Sequence, residues 1–118
     1  MLDKNHFAFA RQCGCTHVVL HLVDYFFRGH HQSESNQPVG NDNGWGYAGN
    51  SSALWQLDEL LRLKKEMNEA GLEIAAIENF DPAHWYDILL DGPRKAAQVE
   101  GIKQLIRNVG KAGIPVIG

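Results

Sequence analysis

Two short runs of this sequence gather side chains that bind ligands or move protons. In the first, His21, Asp24 and Tyr25 close the apolar run His17-Val18-Val19-Leu20-His21-Leu22-Val23, so an imidazole, a carboxylate and a phenol reach one strand exit. In the second, Ile77-Glu78-Asn79 runs into Phe80-Asp81-Pro82-Ala83-His84-Trp85, which collects two carboxylates, an amide and an imidazole. Such a set can bind a metal, hold a sugar hydroxyl or pass a proton. The same residues also allow a structural reading, with His21 a hydrogen-bonded core histidine, Asp81-Pro82 an ordinary turn, His84 solvated and Trp85 covering the outer surface. A carboxylate that ends an apolar strand needs a partner, and this favours chemistry at Glu78. Both faces of its strand are apolar, so the sequence leaves the face of Glu78 undecided.

Residues 26–52 are rich in Gly, Asn, Ser and His and are longer than a structureless connection usually runs inside a domain. His30-His31 and Gly44-Trp45-Gly46-Tyr47 combine ligands and rings with flexible flanks, a composition suited to a lid over a small polar substrate. A disordered insertion has the same composition. The tandem histidines lack the defined spacing and third ligand of a metal motif. Cys13-Gly14-Cys15 is too tight for an easy mutual disulfide and has no second pair to complete a zinc site. The two cysteines read as small, reduced packing residues at a helix-strand junction.

The elements that position these groups repeat. Cys13-Gly14-Cys15, Ala70-Gly71-Leu72 and Ala112-Gly113-Ile114 each end a helical pattern and open an apolar run. Glycine suits the left-handed position that stops a helix. A first helix carries the stripe Phe7, Ala10 and Cys13, with Asp3 or Asn5 as its cap. A second carries Leu57, Leu60, Leu61, Leu63 and Met67, with Asp58 and Glu59 early and Lys64 and Lys65 later. A third is expected to open at Gly92-Pro93 and carry Val99, Ile102, Ile106 and Val109. The strands are predicted at His17–Val23, Leu72–Glu78 and Ile114–Ile117. On the first, Val18, Leu20 and Leu22 should meet the helices, leaving His17, Val19, His21 and Val23 on the opposite face.

Alternating helices and short apolar strands predict an α/β fold with a parallel sheet. No glycine-rich phosphate fingerprint follows a strand, which favours a partial TIM (β/α)8 barrel over a Rossmann or flavodoxin sheet. A closed barrel needs eight strands. The chain, residues 1–118, is therefore expected to be a single barrel segment of about three helix-strand units, incomplete at both ends. Its open edges would favour aggregation or oligomers if it were made alone. Because the long loop follows the C-terminal end of a strand, it belongs to the face where such folds place their sites.

A net charge of -3 supplies no basic surface for nucleic acid. The longest apolar run falls far short of the roughly 20 residues that span a bilayer, and Met1-Leu2-Asp3-Lys4 does not open a signal peptide. A cytoplasmic location without nucleic-acid or membrane partners is expected.

At Phe9-Ala10-Arg11-Gln12, His21-Leu22-Val23-Asp24-Tyr25, Gly44-Trp45-Gly46, Trp55-Gln56-Leu57-Asp58-Glu59-Leu60, Ile77-Glu78-Asn79-Phe80 and Ile106-Arg107-Asn108-Val109-Gly110-Lys111-Ala112-Gly113-Ile114-Pro115, the chain resembles the N-terminal part of the mannonate dehydratase family. The resemblance implies a TIM barrel of the xylose-isomerase-like kind. It implies a hydro-lyase of hexuronate (glucuronate) catabolism that converts D-mannonate to 2-dehydro-3-deoxy-D-gluconate, with Mn2+ or Fe2+ in the barrel mouth and a homo-oligomer at full length. Dehydration next to a carboxylate needs a metal to stabilise the enediolate-like anion, a base at carbon 2 and an acid at carbon 3. The family's metal ligands lie on later strands, beyond Gly118. What the resemblance leaves to this chain is pocket wall, with His21, Asp24, Tyr25, Trp45, Glu78, Asn79 and His84 as candidates. The isolated chain is then expected to be inactive. A sugar isomerase or epimerase of the same barrel class, and a non-catalytic α/β module that completes its sheet with another chain, are the alternatives.

Overall fold

The computed structural model describes residues 4–22, 55–80 and 84–118. The elements run α1 (Lys4–Gln12), β1 (His17–Leu22), α2 (Leu57–Glu69), β2 (Glu73–Phe80), α3 (Tyr86–Leu90) and α4 (Lys95–Lys111). The strands β1 and β2 pair in parallel. The predicted third strand is reduced to a single parallel bridge, Ile77 to Ile117, held by bonds from Ile77 N–H to Val116 O and from Gly118 N–H to Ile77 O, each 3.0 Å. The order in space is thus β1, β2, then residues 115–118.

Each long helix ends in the same way. Gly14, Gly71 and Gly113 adopt φ of 85°, 78° and 67°, the left-handed step expected of them. Past each glycine the chain turns back onto its helix: Cys15 N–H donates to Ala10 O, Leu72 N–H to Met67 O and Ile114 N–H to Val109 O, at 3.0, 2.9 and 3.2 Å. This is the Schellman pattern, in which the residue after the glycine packs on the last helical turn. Cations cover these ends. Lys64 Nζ on α2 donates to Ala112 O and Gly113 O at the end of α4, 2.8 and 2.9 Å away, opposite the negative end of that helix.

One apolar cluster joins the layers. Leu20 of β1 and Ile74 and Ile77 of β2 are buried with Phe7 of α1, Leu60, Leu63 and Met67 of α2, and Leu105, Val109 and Ala112 of α4. Val18 is half-buried against the same cluster, whereas His17, Val19 and His21 are exposed on the other face, as their alternation predicts.

Several expectations shift. On α4 the core contact is made by Leu105, while Ile106 is 49% exposed, so the buried face is turned by about one residue from the predicted stripe. Leu61 is likewise exposed on α2. Asn5 lies inside α1 and does not cap it, and Asp3 lies outside the described residues. Cys13 and Cys15 are exposed instead of packed. The predicted helix start at Gly92-Pro93 is a turn, and α4 begins at Lys95.

That turn is organised by the short helix α3, which the sequence did not reveal. The buried Asp87 of α3 accepts the Arg94 backbone N–H at 2.9 Å, with Arg94 Nε 3.7 Å from the same carboxylate oxygen. Its own N–H donates to Gln98 Oε1 at 2.9 Å. A carboxylate is thereby held at the positive end of α4. Gly92 is required by this packing, since a Cβ there would lie 2.3 Å from Asp87 Oδ1.

These contacts predict opposite effects for two glycine-to-alanine changes. Gly92→Ala forces the buried carboxylate aside and should destabilise by about 1–3 kcal/mol. Gly110→Ala, inside α4 where an added Cβ meets nothing within 4 Å, should stabilise by about 0.5–1 kcal/mol. Ile77→Ala, at the fully buried centre of the sheet, should cost about 2–5 kcal/mol. Urea unfolding followed by far-UV circular dichroism measures all three.

Candidate functional site

The position of Glu78 is set by an irregularity in β2. Register runs His17 to Glu73 and Val18 to Ile74, skips Ala75 to reach Val19 to Ala76, and then continues through Leu20 to Ile77 and His21 to Glu78. An extra residue opposite an unbroken partner strand is a β-bulge, and it reverses the alternation of the residues beyond it. Ile74 and Ile77, three positions apart, consequently share the core face. Glu78 emerges on the opposite face, where its Oε2 lies 3.5 Å from His21 Nε2. A second skip occurs at Asn79, whose φ of 58° is one that asparagine tolerates better than most residues. The Asn79 N–H donates to Gly118 O at 3.2 Å, which ties the exit of β2 to the third segment.

The structure thus brings His21, Glu78 and Asn79 together at the C-terminal ends of adjacent parallel strands, on the face turned away from the helices. His84 stands half-buried at the head of α3, in the connection that leaves β2, with Trp85 half-buried beside it. Asp24, Tyr25, Trp45 and the rest of the long loop lie outside the described residues, as does Asp81.

A second histidine-glutamate pair escaped the sequence. His17 Nε2 lies 3.4 Å from Glu73 Oε2 on the same face but at the N-terminal ends of the strands, and His17 Nδ1 is 2.9 Å from Thr16 Oγ1. The signal that could have found it is the register, which pairs position 17 with 73 directly across the two strands. Both pairs are open to water, with 60% and 74% side-chain exposure for His17 and Glu73 and 41% and 56% for His21 and Glu78. Coulomb attraction between such groups is weak in water, so neither pair is a major source of stability. The chemistry available at the His21 end is that of an acceptor carboxylate beside an imidazole that donates or accepts, able to hold hydroxyl groups or shuttle a proton. Among the described residues, no group of three His, Cys, Asp or Glu side chains is placed to hold a metal ion, and no helix is long and apolar enough to cross a membrane.

Comparison with known proteins gives one consistent result. The family model described as D-mannonate dehydratase (UxuA) matches residues 11–118. The mannonate dehydratase of Streptococcus suis (strain 05ZYH33) is 51% identical over 63 residues, which covers 53% of this chain and 17% of that protein. That of Geobacillus thermodenitrificans (strain NG80-2) is 38% identical over 64 residues, covering 54% of this chain and 17% of the relative. The crystal structure of mannonate dehydratase from Streptococcus suis serotype2 is 43% identical with a TM-score of 0.48, over 65% of this chain and 20% of that one. The chain therefore spans about a sixth of the length of the curated relatives it matches. Matched by the family model from Arg11 to its last residue, the chain belongs to the D-mannonate dehydratase (UxuA) family.

Proposed function

We propose that this chain supplies part of the barrel scaffold and one wall of the sugar-acid pocket of a mannonate dehydratase, a hydro-lyase that converts D-mannonate to 2-dehydro-3-deoxy-D-gluconate in the cytoplasm. The observation that carries this reading is the His21–Glu78 pair at 3.5 Å, at the C-terminal ends of two parallel strands and facing away from the helices. Ligand sites of parallel α/β folds gather at that end of the strands. The layering supports a partial TIM barrel. The three segments succeed one another in space in sequence order, and the buried residues of both strands join one cluster with α1, α2 and α4, leaving the other sheet face uncovered. A doubly wound sheet instead places helices on both faces.

In this role Glu78 and Asn79 accept and donate hydrogen bonds to substrate hydroxyls, and His21 orients Glu78 or passes a proton through it. His84, Asp24, Tyr25 and Trp45 complete the wall and its lid. The family resemblance implies Mn2+ or Fe2+. The described residues do not form a site for that ion, in keeping with ligands carried on later strands. A sugar isomerase of the same barrel class would use a similar wall, but the family match favours the dehydratase.

The test is a chimera in which residues 11–118 replace the corresponding segment of the Streptococcus suis enzyme. It should dehydrate D-mannonate, and the isolated 118-residue chain should not. Glu78→Gln in the chimera should lower kcat/KM by about tenfold or more, equivalent to about 1.4 kcal/mol of transition-state stabilisation. Its unfolding midpoint should stay nearly unchanged, because the pair is exposed. A folded chimera without turnover would overturn the assignment, and turnover by the isolated chain would overturn its role as scaffold alone.

A further inference from the structure

The exposed thiols of Cys13 and Cys15 have no packing role, and the three equivalent helix ends provide the comparison that shows it. The second and third ends place Ala70 and Ala112 before the glycine, half-buried and buried, and Leu72 and Ile114 after it, 1% and 4% exposed. The first end has the same backbone but cysteine at both positions, and both cysteines are exposed and free. Unpaired cysteine is among the most buried of residue types, so two exposed thiols where the repeat elsewhere buries aliphatic groups call for another explanation.

The backbone that carries them is fixed. Cys13 N–H donates to Phe9 O, Gly14 N–H to Arg11 O and Cys15 N–H to Ala10 O, at 3.0, 2.9 and 3.0 Å, and Arg11 donates to Cys15 O at 2.6 Å. The space over the turn is clear, since a Cβ built on Gly14 would meet nothing within 4 Å. We propose that Cys13-Gly14-Cys15 is a two-thiolate site for one soft, low-coordinate cation of the copper(I) class. Thiolates select soft ions. A tetrahedral zinc site needs four donors, and among the described residues no third His, Cys, Asp or Glu completes a metal-holding group here. An ion satisfied by two sulfurs needs no third ligand. Binding displaces the thiol protons to solvent and changes no oxidation state. The site lies at the N-terminal end of β1, the opposite end from His21 and Glu78, and so stands independently of the dehydratase reading.

The reduced chain, titrated anaerobically with copper(I) held by bathocuproine disulfonate, should withdraw one copper per chain, read as loss of the chelator's colour. Two thiols should react with Ellman's reagent before loading and none after it. Cys13→Ser and Cys15→Ser should each abolish the withdrawal, as should the two alanine variants, with far-UV spectra that match the parent. Three results would overturn the site: no withdrawal by the parent, withdrawal by a Cys13→Ser/Cys15→Ser double variant, which would move the ion to groups such as His30 and His31, or loss in only one of the single variants.

Discussion

Reversing a helix onto the next strand within two residues demands a backbone step of positive φ, which costs an L side chain about 1–2 kcal/mol. Gly14, Gly71 and Gly113 take that step without a Cβ to oppose it. Everything downstream inherits its direction. The residue after Gly71 and the one after Gly113 drop directly into the core as Leu72 and Ile114, and the strands begin in register beside one another, with Glu73 N–H bound to Thr16 O at 2.9 Å. Each new helix then settles on the same side of the sheet as the last. Lys64 reinforces the arrangement by bridging from α2 to the carbonyls that the end of α4 leaves unpaired.

This constraint was legible because only glycine meets it cheaply, and the sequence repeats it three times. The Leu60, Leu63 and Met67 stripe was legible for a similar reason, since apolar residues there recur without competitors at core positions. On α4 the sequence offers Leu105 and Ile106 side by side, and hydrophobicity alone does not choose between them. Polar contacts across the fold make the choice. Gln98 and Asn108 are buried because Asp87 N–H and Trp55 O supply them with partners, at 2.9 and 3.3 Å, and their burial carries Leu105 inward with them. A pattern that scores polar residues as surface rotates the helix the wrong way. Glu78 was illegible at a deeper level, because a bulge is a property of two strands together. Counting by twos along β2 cannot reveal that Ala75 is skipped by β1.

The one-sided layering has an energetic consequence for the uncovered face. Val19 stands 53% exposed there between two histidine-glutamate pairs, so the face is neither a core nor an ordinary solvated surface. Apolar area left in water forfeits about 25 cal/mol for each Å² that burial would remove. The two pairs differ little in distance or exposure. Their ends of the strands distinguish them, because the loops that leave β1 and β2 bring Asn79, His84 and the long polar segment to the His21 end alone.

Burial and function are therefore separated in this chain, and Asp87 shows why burial by itself misleads. A buried carboxylate a few residues beyond a strand exit has the outward signs of a catalytic acid. Its bonds say otherwise: one oxygen takes the Arg94 backbone N–H and the Arg94 guanidinium lies beside it, with Arg94 itself stacked 4.9 Å over the Tyr86 ring. Those contacts all close the turn between α3 and α4, and Gly92 stays side-chain-free to admit them. Glu78 is the converse. It contributes little to the fold because water screens its attraction to His21. A carboxylate brought to a strand exit by a bulge, where a regular strand would have turned it into the core, is held in place for what binds above the sheet.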